Sequence, residues 1–168
     1  MKRRTFLKTT TAAAAVFPFI SACNKSGNSD EPMIGHGSHR YHIDMNWGAQ
    51  DPAKIPVNDC HEMVQDRAGR LILLTNETKN NVIIYDKDGK VLETWGTEYP
   101  GAHGLTLSDE GGEEFLYICD NARNEVIKTT LDGRVVQVFS YPADTGVYEA
   151  KNQFIPTESA IGPNGEVY

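Results

Sequence analysis

Residues 59–96 read DCHEMVQDRAGRLILLTNETKNNVIIYDKDGKVLETWG, and residues 101–140 read GAHGLTLSDEGGEEFLYICDNARNEVIKTTLDGRVVQVFS. The two stretches are copies of one pattern. His61 falls on His103, 42 residues later, and Gly89 falls on Gly133, 44 residues later. The difference matches extra Gly-Glu-Glu material around 112–114. In each copy a short apolar run follows the histidine (Met63 and Val64; Leu105 and Leu107), and a polar turn follows that run. A second run comes next, Leu71 to Thr75 or Phe115 to Cys119, and an Asn-rich link leads to Val82–Tyr85 or Val126–Thr129. An Asp-Gly pair then turns the chain into Val91–Trp95 or Val135–Phe139. β-Branched runs punctuated by Asp-Gly are hairpin signals, and no helical period intervenes. A period in the low forties built this way predicts an all-β fold, a β-propeller of four-stranded antiparallel blades.

A third copy starts at FIPTESAIGPNGEVY, residues 154–168. Tyr168 falls inside an expected strand, so the sequence reads as an N-terminal fragment of a longer protein. Upstream, residues 40–48 alternate, with Tyr41, Ile43, Met45 and Trp47 on one face. Asn46-Trp47-Gly48 also matches Thr94-Trp95-Gly96. The expectation is an outer strand that completes the last blade of a closed ring. The repeats resemble the NHL class, which implies six blades when complete, and the partial propeller spans residues 40–168.

The start of the chain has a different logic. Four basic residues, Lys2, Arg3, Arg4 and Lys8, precede an apolar stretch from Ala12 to Ile20 that is too short to span a bilayer. Arg3-Arg4-x-Phe6-Leu7-Lys8 resembles the twin-arginine export signature, an address read by a receptor. Ile20-Ser21-Ala22-Cys23 resembles a bacterial lipobox, in which the cysteine sulfur takes a diacylglycerol. These resemblances imply a signal peptide over 1–22, lipidation of Cys23 and a flexible tether over 23–39. They imply the twin-arginine machinery as a partner, and the periplasm or cell envelope as the location, with the membrane reached through the lipid.

Removing residues 1–22 takes away four of the sixteen basic residues and none of the 23 acidic ones, leaving a balance of −11. That balance excludes nucleic acid as the expected partner and suits cationic ligands or metal. Cys60 and Cys119 can pair in an oxidising compartment or stay free after folding in the cytoplasm, and both outcomes stand open.

In a propeller the first strand of each blade lines the central channel. His61 and His103 begin that strand in successive copies, so both are candidate zinc ligands. A third ligand would come from beyond residue 168. The plainer reading is a polar residue at a strand start. Ala102-His103-Gly104-Leu105, followed one blade later by Phe154-Ile155-Pro156-Thr157-Glu158, resembles the propeller of peptidyl-α-hydroxyglycine α-amidating lyase. That family splits a hydroxyglycine-ended peptide into an amide and glyoxylate, using zinc held by histidines with a calcium nearby. The resemblance implies His103 as a zinc ligand, leaves His61 the weaker candidate, and assigns the backbone of Leu105 to calcium. The family's substrate-binding arginine would fall near Thr75-Asn76, where this sequence has none.

His36-x-x-His39-x-x-His42 cannot place all three rings on one face of a single strand, so it reads as a solvated stretch, with a weak surface metal site as the alternative. Trp47 and Trp95 read as blade packing, and Asp86-Lys87-Asp88-Gly89 as a turn without the later acidic ligands of a calcium loop. Two function classes follow: a metal-dependent carbon–nitrogen lyase acting on a small peptide-like substrate, or a non-catalytic propeller binding a protein, peptide or glycan at the cell envelope. Fold alone does not choose between them.

Overall fold

The structure is a computed structural model that describes residues 32–168. The expectations for Arg3, Arg4 and Cys23 lie outside the described residues. The chain divides into two compact units between Ile43 and Asp44.

The described part of the first unit is a hairpin. Strand β1 (Met33–His36) pairs antiparallel with β2 (His39–His42) across Gly37-Ser38. The strand expected over 40–48 thus ends at His42, and part of the expected tether is strand. Asp44 accounts for the stop: its carboxylate takes the Asn46 amide at 2.8 Å, a local bond that competes with extended pairing.

The second unit contains two four-stranded antiparallel sheets. The first has the order β3 (Cys60–Gln65), β4 (Leu71–Thr75), β5 (Val82–Tyr85), β6 (Val91–Trp95). The second has the mirror listing of the same meander: β7 (Ala102–Glu110), β8 (Glu113–Asp120), β9 (Glu125–Thr130), β10 (Val135–Ser140). Their bounds follow the two sequence copies. The extra material at 112–114 lengthens the β7–β8 hairpin, which pairs out to Glu110 and Glu113. Among the described residues the only helical pieces are two three-residue 3-10 turns, and no helix is long and apolar enough to cross a membrane.

The turns repeat as closely as the strands. Gly69, Gly89 and Gly133 take φ of 83°, 82° and 88°, and each donates its N–H to the residue three before it at 2.9–3.1 Å. These are three-residue hairpin loops closed by a left-handed glycine. Gly165, at φ 85°, makes the same turn, with its N–H on the Gly162 carbonyl at 2.9 Å. The third copy therefore opens with the hairpin turn of the first.

Alternation along the strands makes two cores. Ile72, Leu74, Val82 and Ile84 of the first sheet meet Leu105, Leu116, Ile118 and Ile127 of the second, all at most 2% exposed. On the other face of the second sheet, Phe115, Tyr117, Cys119 and Val126 pack against Phe154, Ile161 and Val167. A fully buried side chain of this kind contributes about 1.5–3 kcal/mol, against about 0–1 kcal/mol for a surface ion pair. The stacking of copies is therefore an apolar matter.

The two tryptophans pin the copies in register. Trp95 donates its indole N–H to the Leu131 carbonyl at 3.0 Å, over the β9–β10 turn. Trp47 makes the equivalent bond to the Lys87 carbonyl at 3.0 Å, over the β5–β6 turn, and lies 5.3 Å from the Tyr85 ring. Although residues 45–48 are turn and not strand, Trp47 sits on the first sheet as Trp95 sits on the second.

Candidate functional site

The first strands, β3 and β7, and the start of the third copy lie side by side. Gly104 makes that approach feasible: a Cβ there would stand 2.6 Å from the Thr157 carbonyl oxygen and 2.9 Å from Glu158 Cα. Four polar side chains meet along this seam: His61 and Glu62 from β3, His103 from β7 and Glu158 from the third copy.

His61 and His103, in one register of the repeat, stack with ring centroids 3.9 Å apart and planes 16° from parallel. His61 is exposed and His103 half-buried. His103 Nδ1 lies 2.9 Å from the Thr157 carbonyl oxygen. A carbonyl only accepts, so Nδ1 carries a proton and, in the neutral ring, Nε2 carries the lone pair. This is the arrangement of a metal-binding or proton-accepting imidazole. A metal lies in the plane of each imidazole that binds it, and near-parallel rings 3.9 Å apart share no such plane. His61 and His103 as placed therefore do not chelate one ion together. Among the described residues no group of three His, Cys, Asp or Glu side chains is spaced to hold a metal.

Glu62 was not singled out in the sequence. Its carboxylate accepts the Leu105 amide N–H across the seam, from one first strand to the next. Burial pushes its carboxyl up. The Leu105 amide pulls it down, but the hydrogen bond and charge of the Glu158 carboxyl add to burial and the net direction is upward. Glu158 also accepts the Ser159 amide at 3.0 Å, and Thr106 bonds the Ser159 carbonyl at 2.8 Å. One signal in the sequence points to the pair: Glu62 and Glu158 each follow the position occupied by His61, His103 and Thr157, with Gly104 between them.

Leu105 itself is buried. Its N–H points off the free edge of β7 toward Glu62. In an antiparallel ladder the N–H and C=O of one residue point to the same side, so its carbonyl also faces this edge. That is the orientation a backbone cation ligand needs.

Cys60 and Cys119 are both free. Cys60 is exposed, with its thiol 3.0 Å from the Asn58 carbonyl. Cys119 is fully buried and its thiol is pushed up to about 11, chiefly by burial, with a Ser159 hydrogen bond opposing. Neither is poised as a nucleophile. An apolar groove of about 570 Å³ opens on the far face of the second sheet, lined by Val126, Phe139, Tyr148 and Phe154 and reaching Thr157 and Glu158 of the seam.

No family model matches the chain, and no curated protein matches it.

Proposed function

We propose that this chain is part of an NHL-type β-propeller, exported and lipid-anchored at the cell envelope, whose first strands carry a metal-dependent site centred on His103. The reaction class we assign is carbon–nitrogen bond cleavage in a small peptide-like substrate. The observation that carries it is the His103 ring, tied through Nδ1 to the Thr157 carbonyl so that Nε2 is free. The propeller reading is supported by two like sheets packed face to face, a third copy that opens with the turn of the first, and the equivalent seats of Trp47 and Trp95.

His103 fits as one nitrogen ligand of zinc. Two or more further ligands are required, and in a closed ring they come from blades facing His103 across the axis. The Leu105 carbonyl edge suits calcium. When bound, zinc supplies Lewis-acid polarisation of a substrate oxygen. In the reaction of the lyase family, the carbon–nitrogen bond of the hydroxyglycine unit breaks. The hydroxyl loses its proton as the aldehyde of glyoxylate forms, and the departing nitrogen gains a proton to become the amide. Of this chain's own groups, we assign Glu62 and Glu158 the movement of those protons, because their carboxyls lie beside His103 along the seam. The stacked His61 ring shields one face of His103 from water.

A peptide ending in α-hydroxyglycine tests the reading directly. Glyoxylate and the amidated peptide should form in equal amounts, faster than in buffer, and chelation should stop the reaction. No glyoxylate above the buffer rate would remove the lyase and leave the ligand-binding propeller.

A further inference from the structure

The hairpin at Met33–His42 sets the three histidines in a way a single strand could not. In its register His36 is the direct partner of His39, and Ile34 the partner of Tyr41, whereas His42 pairs with Met33. Side chains directly opposite on an antiparallel pair share a face, and neighbours along a strand alternate. His36 and His39 therefore project from one face, beside Ile34 and Tyr41, and His42 projects from the other. Gly37 takes φ of 61°, the positive value that the first residue of a two-residue hairpin turn requires, so the turn itself fixes this pairing. All of these side chains are exposed.

We infer that His36 and His39 form a bidentate site for a divalent transition-metal ion of the nickel, copper or zinc group. Opposed Cβ atoms about 4.5–5.5 Å apart let two imidazoles converge on one ion at about 2.0–2.1 Å each. The remaining positions go to water, since both rings stand in solvent. Arg40 does not oppose the ion: it belongs to the other face, where its guanidinium reaches Met33 Sδ at 4.0 Å and the Gly37 carbonyl at 3.3 Å. Imidazole nitrogen, and the absence of any carboxylate from this face of the hairpin, select the transition metals over calcium and magnesium. The site uses no residue of the seam around His103 and stands or falls apart from it.

Nickel(II) is the probe of choice, because it broadens nearby resonances and does not oxidise the free thiols. Added below one equivalent to the ¹⁵N-labelled full chain at pH 7.5, it should broaden the imidazole signals of His36 and His39 together, ahead of His42. His39→Ala should leave the His36 ring sharp at the same nickel concentration, and His36→Ala should do the same for His39. His42→Ala should change neither. The inference is overturned if His36 and His39 respond independently, if either ring broadens equally without its partner, or if His42→Ala abolishes the effect. Those outcomes leave separate imidazoles and an adventitious ion only.

Discussion

At Gly104 a Cβ would stand 2.6 Å from the Thr157 carbonyl, the same oxygen that orients His103. Backbone cannot yield as a flexible side chain does, so Gly104→Ala must part β7 from the third copy. We expect a loss of about 1–3 kcal/mol in denaturant titration, together with loss of the Nδ1 tautomer of His103 in imidazole NMR. Unchanged stability with an unchanged tautomer would show that the seam is not closed at this point. The thiols give a second residue-scale expectation. An aromatic disulfide reagent at pH 8 should modify Cys60 at once, and Cys119 only on unfolding, because one thiol is exposed and the other buried at a pKa of about 11. In a Cys23→Ala chain, immediate release of two equivalents, or none, would contradict these placements.

Between strands of one sheet, the group with most at stake is Lys128, 8% exposed on β9. Its ammonium meets the Glu110 carboxylate at 2.5 Å and lies 4.1 Å above the Phe115 ring. Burial alone would raise the Glu110 carboxyl, but the bonds from Lys128 and Tyr117 outweigh it and hold the carboxyl below its ordinary value. Burial likewise opposes the Lys128 charge, and the Glu110 bond overcomes it, holding the ammonium above its ordinary value. A depressed carboxyl stabilises the fold above its unfolded value and loses that contribution as pH falls through the folded one. A raised ammonium stabilises below its unfolded value and loses the contribution as pH rises through the folded one. Glu110→Gln should therefore cost about 1–2 kcal/mol near neutrality, with the gap to the unsubstituted protein closing below about pH 4. A gap that is constant down to pH 3 would mean the pair contributes nothing through charge. At the inter-copy contacts, Trp95→Phe should cost about 1 kcal/mol by losing the Leu131 bond, and Trp47→Phe a similar amount through Lys87.

The strands and turns of both copies were legible because hydrophobic alternation and Asp-Gly pairs are local signals. The hairpin at 33–42 was not: an alternating run looks the same as one long strand or as one arm of a hairpin, and only Gly37 at positive φ, with Asp44 capping the next turn, decides. His61 and His103 were visible through the repeat, but their stacking was not, since ring orientation depends on where the third copy lies. Glu62 escaped notice for the same reason. A lone glutamate in a strand carries no sign of the neighbour it reaches, and its contact with Leu105 exists only once two first strands sit together. The Asn-rich links showed as links without a role, yet Asn81 is wholly buried and bonds both Thr75 and Tyr99 carbonyls, at 3.1 and 2.9 Å.

For the molecule as a whole, the export reading predicts that replacing Arg3-Arg4 by Lys-Lys strands the protein in the cytoplasm, and that Cys23→Ala abolishes labelling by a fatty-acid analogue. Export or labelling that survives these changes would remove the corresponding signal. The central claim of the proposed function is a zinc centre that includes His103. Elemental analysis of the native full-length protein bears on it most directly. The account predicts about one zinc per chain, lost in His103→Ala and largely kept in His61→Ala, with both variants folded by circular dichroism. A native protein without zinc, or one whose zinc is indifferent to His103→Ala, would contradict it.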